Sequence, residues 1–87
     1  MARPDLEEVS LLESLRVDRG LTIRAASDQS GVAVRTLMRY ESGERDRPHG
    51  NALEKLARFY NIRSSVLLND MRKTHRRWLE EQDAQAA

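Results

Sequence analysis

Thr22-Ile23-Arg24-Ala25-Ala26-Ser27-Asp28-Gln29-Ser30-Gly31-Val32-Ala33-Val34-Arg35-Thr36-Leu37-Met38-Arg39-Tyr40-Glu41-Ser42-Gly43 is the stretch whose reading decides the fold. Thr22 is placed to cap a helix that begins at Ile23, because its side-chain oxygen can take an N–H of the first turn. Gly31 stops that helix, since glycine enters the left-handed region without a Cβ clash. Val32 fills the turn, and a second helix runs over residues 33–41 until Gly43 breaks it.

Ala25 and Ala26 supply the small side chains that let two helices cross closely, and Val32 and Leu37 plug the core they share. Polar residues then point outward near the start of the second helix. These are the requirements of a helix-turn-helix, whose second helix lies in the major groove of DNA. Glycine between helices is also routine in small bundles, so the pattern alone leaves that alternative open.

Outward from this centre, helices continue on both sides. Pro4-Asp5 is expected to open a first helix, with Asp5, Glu7 and Glu8 at its positive end and Gly20 closing it after Arg19. Residues 43–50 read as a charged loop. A fourth helix is expected from Gly50 to Tyr60, with Leu53, Leu56, Ala57 and Tyr60 inward and Asn61 as its left-handed end. Ser64 or Ser65 then caps a short fifth helix through Leu68. A separate amphipathic helix follows from Asp70 to Gln82, with Met71, His75, Trp78 and Leu79 on one side. The last residues, Ala84-Gln85-Ala86-Ala87, have nothing to bury and are expected to fray. The domain boundaries read as 1–69 for the helix-turn-helix unit and 70–87 for the C-terminal helix and tail.

The 87 residues suffice for one small domain, and 39% hydrophobic with 33% charged residues suits a helix-rich one. Cysteine is absent, which excludes disulfides and thiolate metal sites. No apolar run reaches bilayer length and the N-terminus lacks a signal-peptide core, so the expected location is cytoplasmic, at the nucleoid. Net charge is only +1. Its distribution is more telling: Arg3 faces Asp5, Glu7, Glu8 and Glu13 at the start, whereas residues 16–63 hold the arginine surplus. His49 and His75 are distant in sequence, and no Ser/His/Asp order, phosphate-cradling glycine loop or pair of acids in a plausible cleft occurs. The chain is therefore expected to be no enzyme, with no metal, cofactor or small-molecule ligand.

Leu12-x-x-Leu15-Arg16, Gly20-Leu21-Thr22, Gly31-Val32, Glu41-Ser42-Gly43, Pro48 and Leu53-x-x-Leu56-Ala57 occur in this order. Over residues 12–68 the chain resembles the phage repressor and Cro (XRE) family of helix-turn-helix domains. The resemblance implies an all-α, five-helix lambda-repressor-like domain, here with an additional C-terminal helix. It implies a sequence-specific regulator that binds a double-stranded DNA operator, by default as a homodimer, with Arg16 and Glu41 forming a structural ion pair. Three positions depart from the pattern. Ile23 stands where relatives often place a phosphate-touching glutamine, Ala33 where they place a serine cap, and Ser30 at an apolar site.

On the reading helix, Arg35 and Arg39 lie four apart on one face, and arginine can donate two hydrogen bonds to guanine O6 and N7. Val34 and Met38 flank them and suit a thymine methyl. These four are the candidate base readers; the alternative is a solvated face, or phosphate contact only. Candidate phosphate ligands are Arg24, Thr36, Ser42, Arg45, Arg47, His49 and Asn51, with Glu44 and Asp46 placed to pair with the loop arginines. Phe59, Met71, Trp78 and Leu79 form a candidate interface, against the alternative that the C-terminal helix folds back on its own domain. The competing functional class is a protein-interaction module, such as an antitoxin or anti-repressor, using the same fold.

Overall fold

In the computed structural model, which describes residues 9–48 and 50–86, the chain forms five α-helices and the described residues include no strand. They are α1 Leu11–Asp18, α2 Ile23–Ser30, α3 Val34–Ser42, α4 Ala52–Tyr60 and α5 Ser64–Ala86. The fold class is all-α, of helix-turn-helix type.

Helix ends sit where the sequence supplies partners for orphan backbone groups. The Thr22 hydroxyl accepts from the Ala25 N–H at 3.1 Å and starts α2. Gly31, at φ 82°, ends it in the left-handed region. Asn61, at φ 55°, closes α4 as the single non-glycine with positive φ among the described residues. Ala33 begins α3 with no side-chain cap, and the helix relies on packing instead.

The core is assembled from one face of each helix: Leu12, Ala26, Val32, Leu37, Tyr40, Leu56, Tyr60, Leu67 and Met71 are all buried. Burying a leucine-sized side chain contributes about 1.5–3 kcal/mol, so this cluster carries the fold. Ala26 has no exposed surface. It lies at the close approach of α2 to its neighbours, where a larger side chain would force overpacking.

Two sequence expectations about helix boundaries fail for identifiable reasons. The first helix begins at Leu11, with Val9 and Ser10 outside it; Asp5, Glu7 and Glu8 lie outside the described residues. Ser10 Oγ accepts the Glu13 N–H at 3.1 Å, and Asp70 Oδ2 accepts the Leu11 N–H at 2.8 Å. The N-terminus of α1 is thus capped locally by Ser10 and from α5 by Asp70.

The C-terminal segment is one continuous helix of 23 residues, not a short fifth helix followed by a separate sixth. Asp70 reads locally as a restart signal, yet its carboxylate is directed at Leu11, 59 residues away in sequence. Engaged there, the carboxylate does not cap a new helix at its own position, and the helix runs straight through. Leu67, Met71 and Thr74 then fall on one buried stripe. The helix extends to Ala86, past the expected end at Gln82, because Glu80, Glu81, Gln82, Ala84 and Gln85 are good helix formers. Met71, expected at an interface, is in the monomer core.

The other end of α3 is locked by α5. Gly43 has φ 91°, and a Cβ there would lie 2.5 Å from the Thr74 carbonyl oxygen. His75 Nδ1 stands 2.7 Å from the Gly43 carbonyl oxygen, so this ring nitrogen carries the proton and donates it. The inner half of α5 therefore fixes where α3 ends.

Candidate nucleic-acid interface

Leu37 and Tyr40 turn one face of α3 fully into the core, with Glu41 beside them. Helical periodicity then leaves Arg35, Met38, Arg39 and Ser42 on the other side. Arg35 is exposed and Met38 is 56% exposed, the largest exposure among the apolar side chains of α3. Val34 and Thr36 are half-buried at the first turn. The exposed face is thus narrow, with an exposed thioether between two arginines.

Arg39 is half-buried and lies beside Glu44, with Nε 3.8 Å from Oε2. Glu44 is the acid that the structure turns toward the reading helix, a pairing the sequence did not disclose because it spans the helix end. Ser42 makes that turn: its hydroxyl donates to the Arg39 carbonyl at 3.1 Å and accepts the Glu44 N–H at 3.3 Å. Its role here is to shape the end of α3, and both its bonds are internal. Arg35, Met38, Arg39, Ser42 and Glu44 together line a shallow recess of about 350 Å³.

The turn is braced in a way that offsets the departure at Ser30. Ser30 Oγ accepts the Val32 N–H at 3.2 Å, so this hydroxyl pins the turn in place of an apolar contact. Ile23 packs against the core and offers no polar group outward. Lys55 Nζ donates to the Gly31 carbonyl at 3.5 Å. Together with Thr36 and Asn51, Lys55 borders a groove of about 170 Å³ between the turn and the start of α4. Lys55 was not singled out from the sequence; its position, one turn into α4 from Asn51, is the signal that would have found it.

The remaining phosphate candidates are spread around this face. Arg24 is exposed on the first turn of α2, and Arg45 and Arg47 are exposed in the loop after α3. Asn51 is exposed at the head of α4 and makes no side-chain cap bond. His49 lies outside the described residues.

Glu41 does not belong to this face. Its side chain is 6% exposed, and both its oxygens accept from Arg16 Nε, at 3.1 and 3.0 Å. Arg16 Nη1 also donates to the Leu21 carbonyl at 2.8 Å. One guanidinium thus ties α1, the α1–α2 loop and the end of α3 together. Burial pushes the Glu41 carboxyl above its usual range, while Arg16 pulls it back. The hydrogen bond to Glu41 holds the Arg16 guanidinium more firmly protonated. The Tyr60 hydroxyl is buried with no hydrogen-bond partner, and burial pushes it up, reinforced by the Glu41 charge.

On α5, Trp78 is half-buried and stacks on His75 with ring centroids 5.9 Å apart. Phe59 is half-buried against the core, in edge contact with Tyr60 and under the Arg19 guanidinium. Leu79 departs from the side it was expected to share with Trp78 and is 46% exposed.

The family model described as "Helix-turn-helix domain" matches residues 9–70. The chain belongs to this family. The match spans α1 to α4 and the first turns of α5, including the Arg16–Glu41 pair and the whole exposed face of α3. It makes the chain a DNA-binding domain of helix-turn-helix type. No curated protein and no solved structure matches the chain. Among the described residues there is no helix long and apolar enough to cross a membrane, and no group of three or more metal-ligating side chains.

Proposed function

We propose that this chain is a sequence-specific transcriptional regulator of the repressor and Cro type, acting on double-stranded DNA at the nucleoid. The observation that carries the reading is the division of α3. Leu37, Tyr40 and Glu41 hold one side rigidly in the core, and Arg35, Met38 and Arg39 occupy the other. A rigid helix with outward arginines at its first turns is what a major groove can be read by.

In this reading Arg35 and Arg39 donate to guanine edges, and Val34 and Met38 meet thymine methyl groups, which make no polar demand. Arg24, Thr36, Arg45, Arg47, Asn51 and Lys55 surround the reading helix and neutralise phosphates, fixing its register. Glu44 subtracts from this field, its carboxylate lying 3.8 Å from Arg39 Nε. One reading helix of nine residues specifies few base pairs, so the protein works as a homodimer on a two-fold site.

Selection from a pool of randomised duplexes tests this. The expected product is an inverted repeat with guanines in each half-site and centres separated by about 10 bp or a multiple of it. A pool that never enriches, while retaining weak salt-sensitive binding, would refute sequence-specific reading.

A further inference from the structure

Arg72, Arg76, Leu79 and Asp83 are all exposed, and their spacing of four, three and four residues keeps them in one sector of α5. At 3.6 residues per turn they fall within about 60° of one another. This stripe lies opposite the buried one formed by Leu67, Met71 and Thr74. Beyond Trp78 the described side chains of α5, residues 79–85, are all exposed, so the helix continues for two turns without being buried by any described part of its own domain. Its charge is ordered: Arg72 and Arg76 precede Leu79, and Glu80 and Asp83 flank it on the far side.

From this order we infer that the outward stripe of α5 pairs with the same stripe of a second copy, antiparallel, about a two-fold axis between Arg77 and Trp78. In that register all four stripe residues form matched layers. Arg72 meets Asp83 of the second copy, and Leu79 lies on the methylene stem of Arg76, whose guanidinium reaches Glu80. The two-fold repeats each contact, which is the condition for an isologous interface. A parallel pairing places Arg72 on Arg72, Arg76 on Arg76 and Asp83 on Asp83, and like charges across a helical seam select against it. The stripe is thus complementary to itself in one direction only.

The surface is polar and offers one large apolar side chain per copy. The pairing is therefore weak in free solution and is reinforced when two copies occupy adjacent half-sites, where each raises the effective concentration of the other. This inference gives the homodimer of the reading above its interface, and it is measured without DNA, so its failure leaves major-groove reading untouched. It also separates the interface from Trp78, which α5 uses against His75.

The test is sedimentation equilibrium of the full chain at low salt, up to several hundred micromolar, on the parent and on R72D, D83R and the double variant R72D/D83R. Residues 72 and 83 are eleven apart, about 16 Å along the helix, and cannot pair within one chain. The parent is expected to self-associate. Each single reversal is expected to weaken association at least tenfold, and the double variant to restore it to within about threefold of the parent. Circular dichroism confirms that each variant keeps its helix content. A parent that stays monomeric throughout the range, single variants that associate like the parent, or a double variant that is not rescued would each overturn the inference.

Discussion

Replacing Arg16 by alanine leaves the Glu41 carboxylate, 6% exposed, with neither of its two hydrogen bonds from Nε. Removing one partner of a buried ion pair costs about 3–5 kcal/mol. Arg16 itself is 18% exposed and keeps contact with water, which places the expected loss near the lower end, at about 3 kcal/mol. The Leu21 carbonyl also loses its donor, an effect of about 1 kcal/mol at a site that water can reach. The pH dependence separates these contributions. Burial already raises the Glu41 carboxyl in the intact pair, and loss of Arg16 raises it further. The folded variant then binds a proton at a pH where the unfolded chain does not, so its stability falls as pH rises through that raised range and recovers on acidification. Urea denaturation of parent and R16A at pH 7 and pH 5 reads this directly. The deficit is expected to be about 3 kcal/mol or more at pH 7 and smaller at pH 5. A deficit under about 1 kcal/mol, or one identical at the two pH values, would refute a buried, charged Glu41 as the source.

Three further substitutions follow from single contacts. Tyr60→Phe removes a buried hydroxyl without a partner, so stability at pH 7 is expected to hold or rise by about 1 kcal/mol; a loss of that size would mean the hydroxyl is bonded. Gly43→Ala combines a φ of 91° with a Cβ 2.5 Å from the Thr74 carbonyl oxygen, so a loss of about 3 kcal/mol or more is expected in thermal or urea unfolding. A nearly neutral G43A would show that α5 does not press on the end of α3. Glu44→Gln removes the acid beside Arg39; non-specific duplex affinity is expected to rise about two- to fivefold, with a steeper salt dependence. Unchanged binding would place Glu44 outside the DNA field.

The fold was largely legible because its decisive signals are local. Gly31, Thr22 and Asn61 act through their own backbone or the next turn, and the structure puts helix ends at each. The errors arose where a side chain serves a distant segment. Asp70 looks like the start of a helix but caps α1 across the fold, and with Ser10 accepting the Glu13 N–H beside it α1 starts at Leu11, later than the acidic residues near Asp5 suggest. Sequence periodicity likewise could not assign Met71, Trp78 and Leu79 to different surroundings. Trp78 and Leu79 are adjacent and lie about two helical turns beyond Met71, and only the packing of α5 against α3 and α4 decides that the first of the three is core, the second half-covered and the third exposed. At the candidate site the outward residues of α3 were readable from helical period. The Glu44–Arg39 contact and the brace from Lys55 to Gly31 were not, since the first folds back across the end of α3 and the second joins the α2–α3 turn to α4.

The central claim is that the outward face of α3 distinguishes one DNA sequence from another. The most direct measurement is the ratio of affinities for a selected operator and a scrambled duplex, by fluorescence anisotropy at fixed salt, for the parent and for R35A/R39A. Each bidentate arginine–guanine contact is worth about 1–3 kcal/mol of discrimination. The double variant is therefore expected to lose most of the ratio, at least about tenfold, while its affinity for the scrambled duplex falls much less and its melting temperature holds. A double variant that keeps the parent's ratio would contradict the account, and α3 would not be the reading helix.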